Sequence, residues 1–186
     1  LKEIRWHGRG GNGGFTAARL LGYAAALHCG KYAQAFPSFG PERRGAPVLG
    51  FTRIDDNPIS DHSQIEHCDC VIVLDETLLD AVDVTAGLKD DGILLINSEF
   101  SPEHFTNRKG FDRVNKLITI DATAIALKEL GANIVNTIML GAAVGASEFV
   151  SIEAVEAAIN ESMSKALREK NIRAARIAYD TVRGGC

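Results

Sequence analysis

The chain has little cysteine, no long apolar run and no surplus of positive charge, and each shortage excludes something. Its four cysteines are Cys29, Cys68, Cys70 and Cys186. Cys68 and Cys70 form a C-x-C, but no second pair follows at zinc spacing and no run of four stands at iron–sulfur spacing. They read as ordinary buried thiols of a reducing compartment, and no metal site is expected on this chain. No apolar stretch is long enough to cross a bilayer. No secretory leader is expected either, since Leu1 opens almost directly into a strand-like segment, and the chain reads as cytoplasmic. The formal net charge is −4, with no basic tail, which argues against a general nucleic-acid binder. Repeats, low-complexity tracts and interdomain linkers are also missing. At 186 residues the chain suits one domain, residues 1–186, with a core of its own.

What is present is an alternation of strand and helix patterns. Residues 3–7 (EIRWH) read as a short strand ended by Gly8. Residues 14–29, rich in alanine and leucine, read as a helix closed by Gly30. A second strand is expected at 48–54, then a turn at 55–58 (DDNP). The apolar runs 71–74 (VIVL), 92–96 (GILLI) and 117–120 (LITI) suit strands covered on both faces. Helices are expected at 76–81 and 122–130, with a short one around 63–66. This pattern implies a layered α/β fold with a mostly parallel sheet. The strand at 48–54 follows a loop and not a crossover helix, so the sheet is expected to be mixed. In the C-terminal third, the small residues of 133–146 (NIVNTIMLGAAVGA) invite another backbone close, from within the domain or from another subunit. Ser151 is the expected N-cap of one amphipathic helix over 152–170, with Ile152, Val155, Ile159, Met163 and Leu167 facing the core.

Two segments stand apart. Residues 32–47 (YAQAFPSFGPERRGAP) hold too much proline and glycine for a helix or an inner strand. They read as a loop of roughly 16 residues, a length that usually carries function. Pro37, Pro41 and Pro47 stiffen it and Phe36 and Phe39 anchor it. Phe36, Pro37, Ser38, Phe39, Gly40, Pro41 and Glu42 are therefore expected to shape the loop or to form an interface. Arg43 and Arg44 are adjacent and point in different directions, so one suits an anion while the other meets Glu42 or a partner chain. The plainer alternative is solvated charge. The second segment is Gly8-Arg9-Gly10-Gly11-Asn12-Gly13, a G-x-G-x-x-G between a strand and a helix, where backbone N–H groups and the helix N-terminus suit a phosphate. Arg9 adds a charge for a phosphate or a partner carboxylate, and Asn12 tolerates a left-handed backbone and offers an amide. The alternative is a tight turn without a ligand. A nicotinamide or flavin dinucleotide is not expected, because no carboxylate follows about 20 residues on; the first after Glu3 is Glu42. His7 reads as structural, and no side chain is assigned acid–base work. Two special segments so close in sequence point to one site, for an anionic ligand or a partner surface.

EIRWHGRGGNGGFTAARLL followed by GKYAQAFPSFGPERRGAPVLGFTRID resembles the gamma subunit of 2-oxoacid:ferredoxin oxidoreductases, in the pyruvate and 2-oxoisovalerate branch. The similarity continues more weakly through 71–74 and 136–141 (NTIMLG). The resemblance implies a three-layer α/β/α unit that is one non-catalytic subunit beside alpha, beta and delta chains. It implies a complex that decarboxylates a 2-oxoacid on thiamine diphosphate with Mg, passes electrons through [4Fe-4S] clusters to ferredoxin and hands the acyl group to coenzyme A. The thiamine and cluster sites lie in the other chains, so this chain alone holds no cofactor and is inactive in isolation. Gly8, Arg9, Gly10, Gly11, Asn12, Gly13, Arg43 and Arg44 are then expected to help form the coenzyme A site. Many family members carry glutamine where this chain has Asn12, a difference in reach and not in backbone turn.

Overall fold

Strand and helix patterns resolve into a six-stranded sheet. The computed structural model describes residues 1–38 and 45–185. In chain order the elements are β1 (Lys2–Arg9), α1 (Gly14–Tyr23), β2 (Tyr32–Pro37), β3 (Pro47–Asp55), β4 (Cys68–Val73), β5 (Leu88–Asn97) and β6 (Lys116–Ile120). Four further helices follow: α2 (Ala122–Leu130), α3 (Asn136–Ala146), α4 (Ile152–Ser162) and α5 (Lys165–Gly184). The sheet order is β2-β3-β1-β4-β5-β6. β1, β4, β5 and β6 pair in parallel. β3 is antiparallel to both β1 and β2, so it alone runs against the rest and makes the sheet mixed, as its position after a loop implies.

Side chains alternate across the sheet with the two-residue strand period. Ile4 and Trp6 face the layer built by all five α-helices, in one core with Leu21, Ile72, Leu95, Ile138 and Ala175. Val71, Val73, Leu94 and Ile96 face the other way. There the cover is the 3-10 turns Glu76–Asp80, Pro102–Phe105 and Phe111–Arg113, which supply Leu78, Phe105 and Phe111, together with Ile65 from the segment between β3 and β4. The outer layers are therefore unlike: one helical, one made of short turns and extended chain. Within the helical layer, α3 lies against α5 at glycine distance. A Cβ at Gly145 would stand 2.7 Å from the Tyr179 carbonyl oxygen, and one at Gly141 would collide with the Ala175 carbonyl. The small residues of this helix serve packing inside the chain.

Four local expectations are corrected. Residues 32–37 are the edge strand β2, not loop. Pro37 is tolerated because its missing donor faces the free edge: Ser38 N–H donates to Leu49 O at 2.9 Å, and alternation then turns Pro37 outward. No helix forms at 63–66; that stretch runs as extended chain under the sheet. β1 continues through Gly8 to Arg9, since both still pair with β3. The helix after Ser151 stops at Ser162, because Met163 and Ser164 are extended (ψ 152 and 153) and α5 starts afresh at Lys165. Two directions are needed, one for α4 and one for packing along α3, and Leu167 consequently lies 57% exposed. The Ser151 cap itself is present, its hydroxyl accepting from Ala154 N–H at 3.2 Å. Among the described residues no helix is long and apolar enough to cross a membrane.

Candidate functional site

The glycine turn leaves the carboxyl end of β1 and enters α1. Gly11 and Gly13 have φ of +94 and +78, values that L side chains rarely adopt. Gly8 has a different reason to be glycine: a Cβ there would stand 2.5 Å from Asn12 Oδ1. That oxygen accepts from Gly14 N–H at 3.3 Å, and Asn12 N–H donates to Arg9 O at 3.0 Å. Asn12 thus braces the turn from above, with a normal backbone conformation. α1 starts at Gly13 with no side-chain cap and no acidic residue in its first turn, so the positive end of its dipole is not neutralised locally.

The second segment meets this turn at its returning arm. Gly10 N–H donates to Ala46 O at 2.9 Å and Gly45 N–H donates to Gly10 O at 3.1 Å. Arg9 and Gly8 then pair with Pro47 and Val48. At its departing arm, Ser38 lies opposite Leu49, which lies opposite His7. Both arms of the segment therefore end within a strand or two of the turn. Phe36 packs on Phe51 with ring centroids 5.2 Å apart, and the Arg53 guanidinium stands 5.4 Å from the Phe36 ring. Phe39, Gly40, Pro41, Glu42, Arg43 and Arg44 lie outside the described residues.

Arg9 finds its carboxylate in its own chain. Its Nε donates to Asp75 Oδ2 at 2.8 Å, one Nη to Gly45 O at 3.0 Å and the other to Thr77 Oγ1 at 2.6 Å. Burial opposes ionisation of Asp75, but the Thr77 hydroxyl and amide and the Arg9 guanidinium outweigh it and hold the carboxyl below its ordinary range. Asp75 and Thr77 were missed in the sequence, although Asp-x-Thr just after an apolar run is a recognisable turn signal. Asn136 was missed as a neighbour too: a Cβ at Gly13 would stand 2.5 Å from its Nδ2.

Charge is distributed unevenly around the turn. Beyond Asn12, over the carboxyl ends of β4, β5 and β6, lies a crevice of about 490 Å³ lined by Asp75, Glu76, Glu99 and Asp121. No lysine or arginine lines it among the described residues. An anion is disfavoured there, although this is where open α/β sheets usually bind ligands. On the turn-covered face of β1, His7 is buried and accepts from Arg5 Nε at 3.0 Å through Nε2. Burial first, then the Arg5 charge, pushes its pKa down to about 3, against Asp83. It is a neutral imidazole with the proton on Nδ1, in keeping with a structural role.

Comparison with known proteins identifies the family. Residues 3–181 match the family model described as pyruvate ferredoxin/flavodoxin oxidoreductase. The chain belongs to this family. The gamma subunit common to the pyruvate/ketoisovalerate oxidoreductases of Pyrococcus furiosus is 55% identical over 178 residues, covering 96% of this chain and 95% of that protein. Pyruvate synthase subunit PorC of Methanothermobacter marburgensis is 51% identical over 181 residues, covering 97% of each chain. The crystal structure of the pyruvate oxidoreductase PORC subunit from Thermotoga maritima superimposes with a TM-score of 0.82 at 42% identity, over 96% of this chain and 95% of that one. This pyruvate ferredoxin/flavodoxin oxidoreductase family chain is thus a gamma-type subunit of an oxidoreductase, and the glycine turn and residues 32–47 are parts of such a subunit. Burial pushes the Cys68 and Cys70 thiols up, which disfavours the thiolate that metal binding requires. Among the described residues no three His, Cys, Asp or Glu side chains converge to hold a metal ion.

Proposed function

We propose that this chain is the non-catalytic gamma subunit of a complex that oxidatively decarboxylates pyruvate or a related 2-oxoacid, reduces ferredoxin and releases acyl-coenzyme A. Its part is to shape the coenzyme A site and the subunit interface around it, as one gamma-type domain working in the cytoplasm beside alpha, beta and delta chains. When bound in those chains, thiamine diphosphate and Mg supply the decarboxylation chemistry and [4Fe-4S] clusters the electron path. This chain's residues bind and orient. The free N-terminus of α1 and the backbone of Gly11 and Gly13 face an anion, and Arg43 or Arg44 neutralises a phosphate. The observation that carries the reading is the reciprocal pair of hydrogen bonds between Gly10 and residues 45–46, which joins the two special segments into one surface. The acidic crevice over β4–β6 supports it by leaving the β1–β3 side as the place for an anion.

A second reading, assembly without ligand contact, has its own support. The N–H groups of Gly10, Asn12 and Gly14 are already engaged within the chain, and Arg9 is paired with Asp75. The double variant Arg43→Ala/Arg44→Ala in the assembled complex separates the two. Loss of one charge-assisted contact to a phosphate raises KM for coenzyme A about tenfold, with kcat and subunit stoichiometry unchanged. Lost assembly with unchanged KM in whatever complex remains favours the second reading.

A further inference from the structure

The far edge of the sheet is unlike a finished surface. β2 is its terminal strand. Because Ser38 bonds to Leu49, alternation directs Phe36 and Gln34 toward β3 and leaves the N–H and C=O groups of Ala33 and Ala35 on the outer edge. Natural edges are normally blunted with charge. β2 reads YAQAFP and carries none; its single blunting feature is Pro37 at one end. Beside it, α1 and the π-helical turn after it (Ala24–His28) expose apolar groups, Tyr23 at 40% and Leu27 at 66%. With Phe15, Ala33 and Ala35 these line a shallow groove.

Among the described residues Arg19 is the one charged residue of that groove. Its guanidinium stands 6.0 Å from the Phe15 ring and 5.5 Å from the Tyr23 ring, and it donates to Tyr23 Oη at 2.9 Å. No carboxylate pairs with it among the described residues. An arginine held between two aromatic rings, un-neutralised and next to an unpaired strand edge among the described residues, beside an exposed leucine, has the chemistry of an interface anchor.

We infer that the β2 edge and the outer flank of α1 dock an extended segment of a partner subunit that carries an acidic side chain. The segment adds a short strand through Ala33 and Ala35, lays an apolar side chain against Tyr23 and Leu27, and sets its carboxylate on Arg19. A second copy of this chain is the wrong occupant: among the described residues the groove holds no carboxylate with which a symmetric partner could meet Arg19. The inference rests on the reading of this chain as a subunit.

The test is dissociation of the oxidoreductase complex purified through a tag on this chain, followed by native mass spectrometry over a dilution series. Arg19→Glu removes the cation. Ala35→Pro removes only an outward N–H, at the same parity as Pro37, and leaves the bonds to β3 intact. Both variants melt as isolated subunits within a few degrees of the parent, and both dissociate from the complex at least about tenfold more readily, the parent's affinity falling with added salt and that of Arg19→Glu not. Retention of both variants at parental affinity overturns the inference and leaves the subunit assignment standing. A dimer of the isolated chain that Ala35→Pro abolishes overturns it in favour of a second copy. A parent chain found in no complex overturns the subunit assignment as well. If Ala35→Pro fails to fold, Arg19→Glu with its salt series decides.

Discussion

The two faces of the sheet are buried by different means, and the difference explains where this chain keeps its charge. Against the helical layer the strands present Ile4, Trp6, Ile72 and Leu95. Helices satisfy their own backbone, so that face needs few polar groups from the sheet. Among the described residues its buried polar links are few and include Trp6 Nε1–H to Thr52 Oγ1 at 3.1 Å, the Thr52 hydroxyl to Ala18 O at 3.0 Å, and Ala122 N–H to Asn97 Oδ1 at 3.0 Å. The other face is covered by short turns and extended chain, whose carbonyls have no ladder to join. There the strands supply arginines. Arg5 donates to the Val84 and Ala86 carbonyls. Arg53, 1% exposed, donates to Asp61 O at 3.1 Å and to Glu3 Oε1 at 2.9 Å. Buried guanidinium groups are here the price of an irregular layer.

The contrast can be broken first at Arg53. Arg53→Met leaves the Glu3 carboxylate and the Asp61 carbonyl without their donor, and removing one partner of a buried pair costs about 3 kcal/mol or more. Urea denaturation measures the loss, and hydrogen exchange should show residues 57–66 deprotected while α3 and α5 stay closed. A loss below about 1 kcal/mol would mean that the turn-covered face does not depend on its arginines. The helical face is broken by volume and not by charge. Gly141→Val drives a branched side chain into the α5 backbone, costing about 2–3 kcal/mol, which lowers Tm by about 4–12 °C in a domain of this size. An unchanged Tm would show that α3 and α5 have room to separate.

A third effect sharpens the comparison through pH. His7 has a folded pKa of about 3, below the ordinary value for an unfolded histidine. Between those values the unfolded chain binds the extra proton, so stability rises with pH across that window and is lost as pH falls from about 6.5 toward 3. The slope due to His7 is at most about 1.4 kcal/mol per pH unit. His7→Phe should flatten the stability curve between pH 4 and 6 relative to the parent. Identical slopes would mean that His7 is not held neutral by burial against Arg5.

Much of this architecture was legible in the residues. The runs 71–74, 92–96 and 117–120 are strands because an apolar run bounded by turns has few other stable homes. The Ser151 cap is present because a hydroxyl before an amphipathic run bonds locally, whatever surrounds it. That the glycine turn and residues 45–47 are neighbours agrees with their closeness in sequence, and both segments stood out through backbone constraints that belong to glycine and proline themselves. β2 was not legible, because Pro37 is excluded from an inner strand and harmless on an outer one, and only the sheet order says which it is. The break at 163–164 was invisible for a similar reason: the periodicity from Ile152 to Leu167 continues, and the demand for a second direction comes from α3.

The residues alone determined what depends on near neighbours: strand and helix patterning, the tight turn, the cap, the lack of a cluster-type cysteine run. Tertiary structure decided what depends on distant partners. It turned Arg9 toward Asp75, made β2 an edge with the backbone groups of Ala33 and Ala35 outward, set Arg19 without a carboxylate among the described residues, and gave buried arginines to the face that lacks α-helices. Such outcomes turn on which backbone groups remain unsatisfied once the chain is packed, and no local pattern records that.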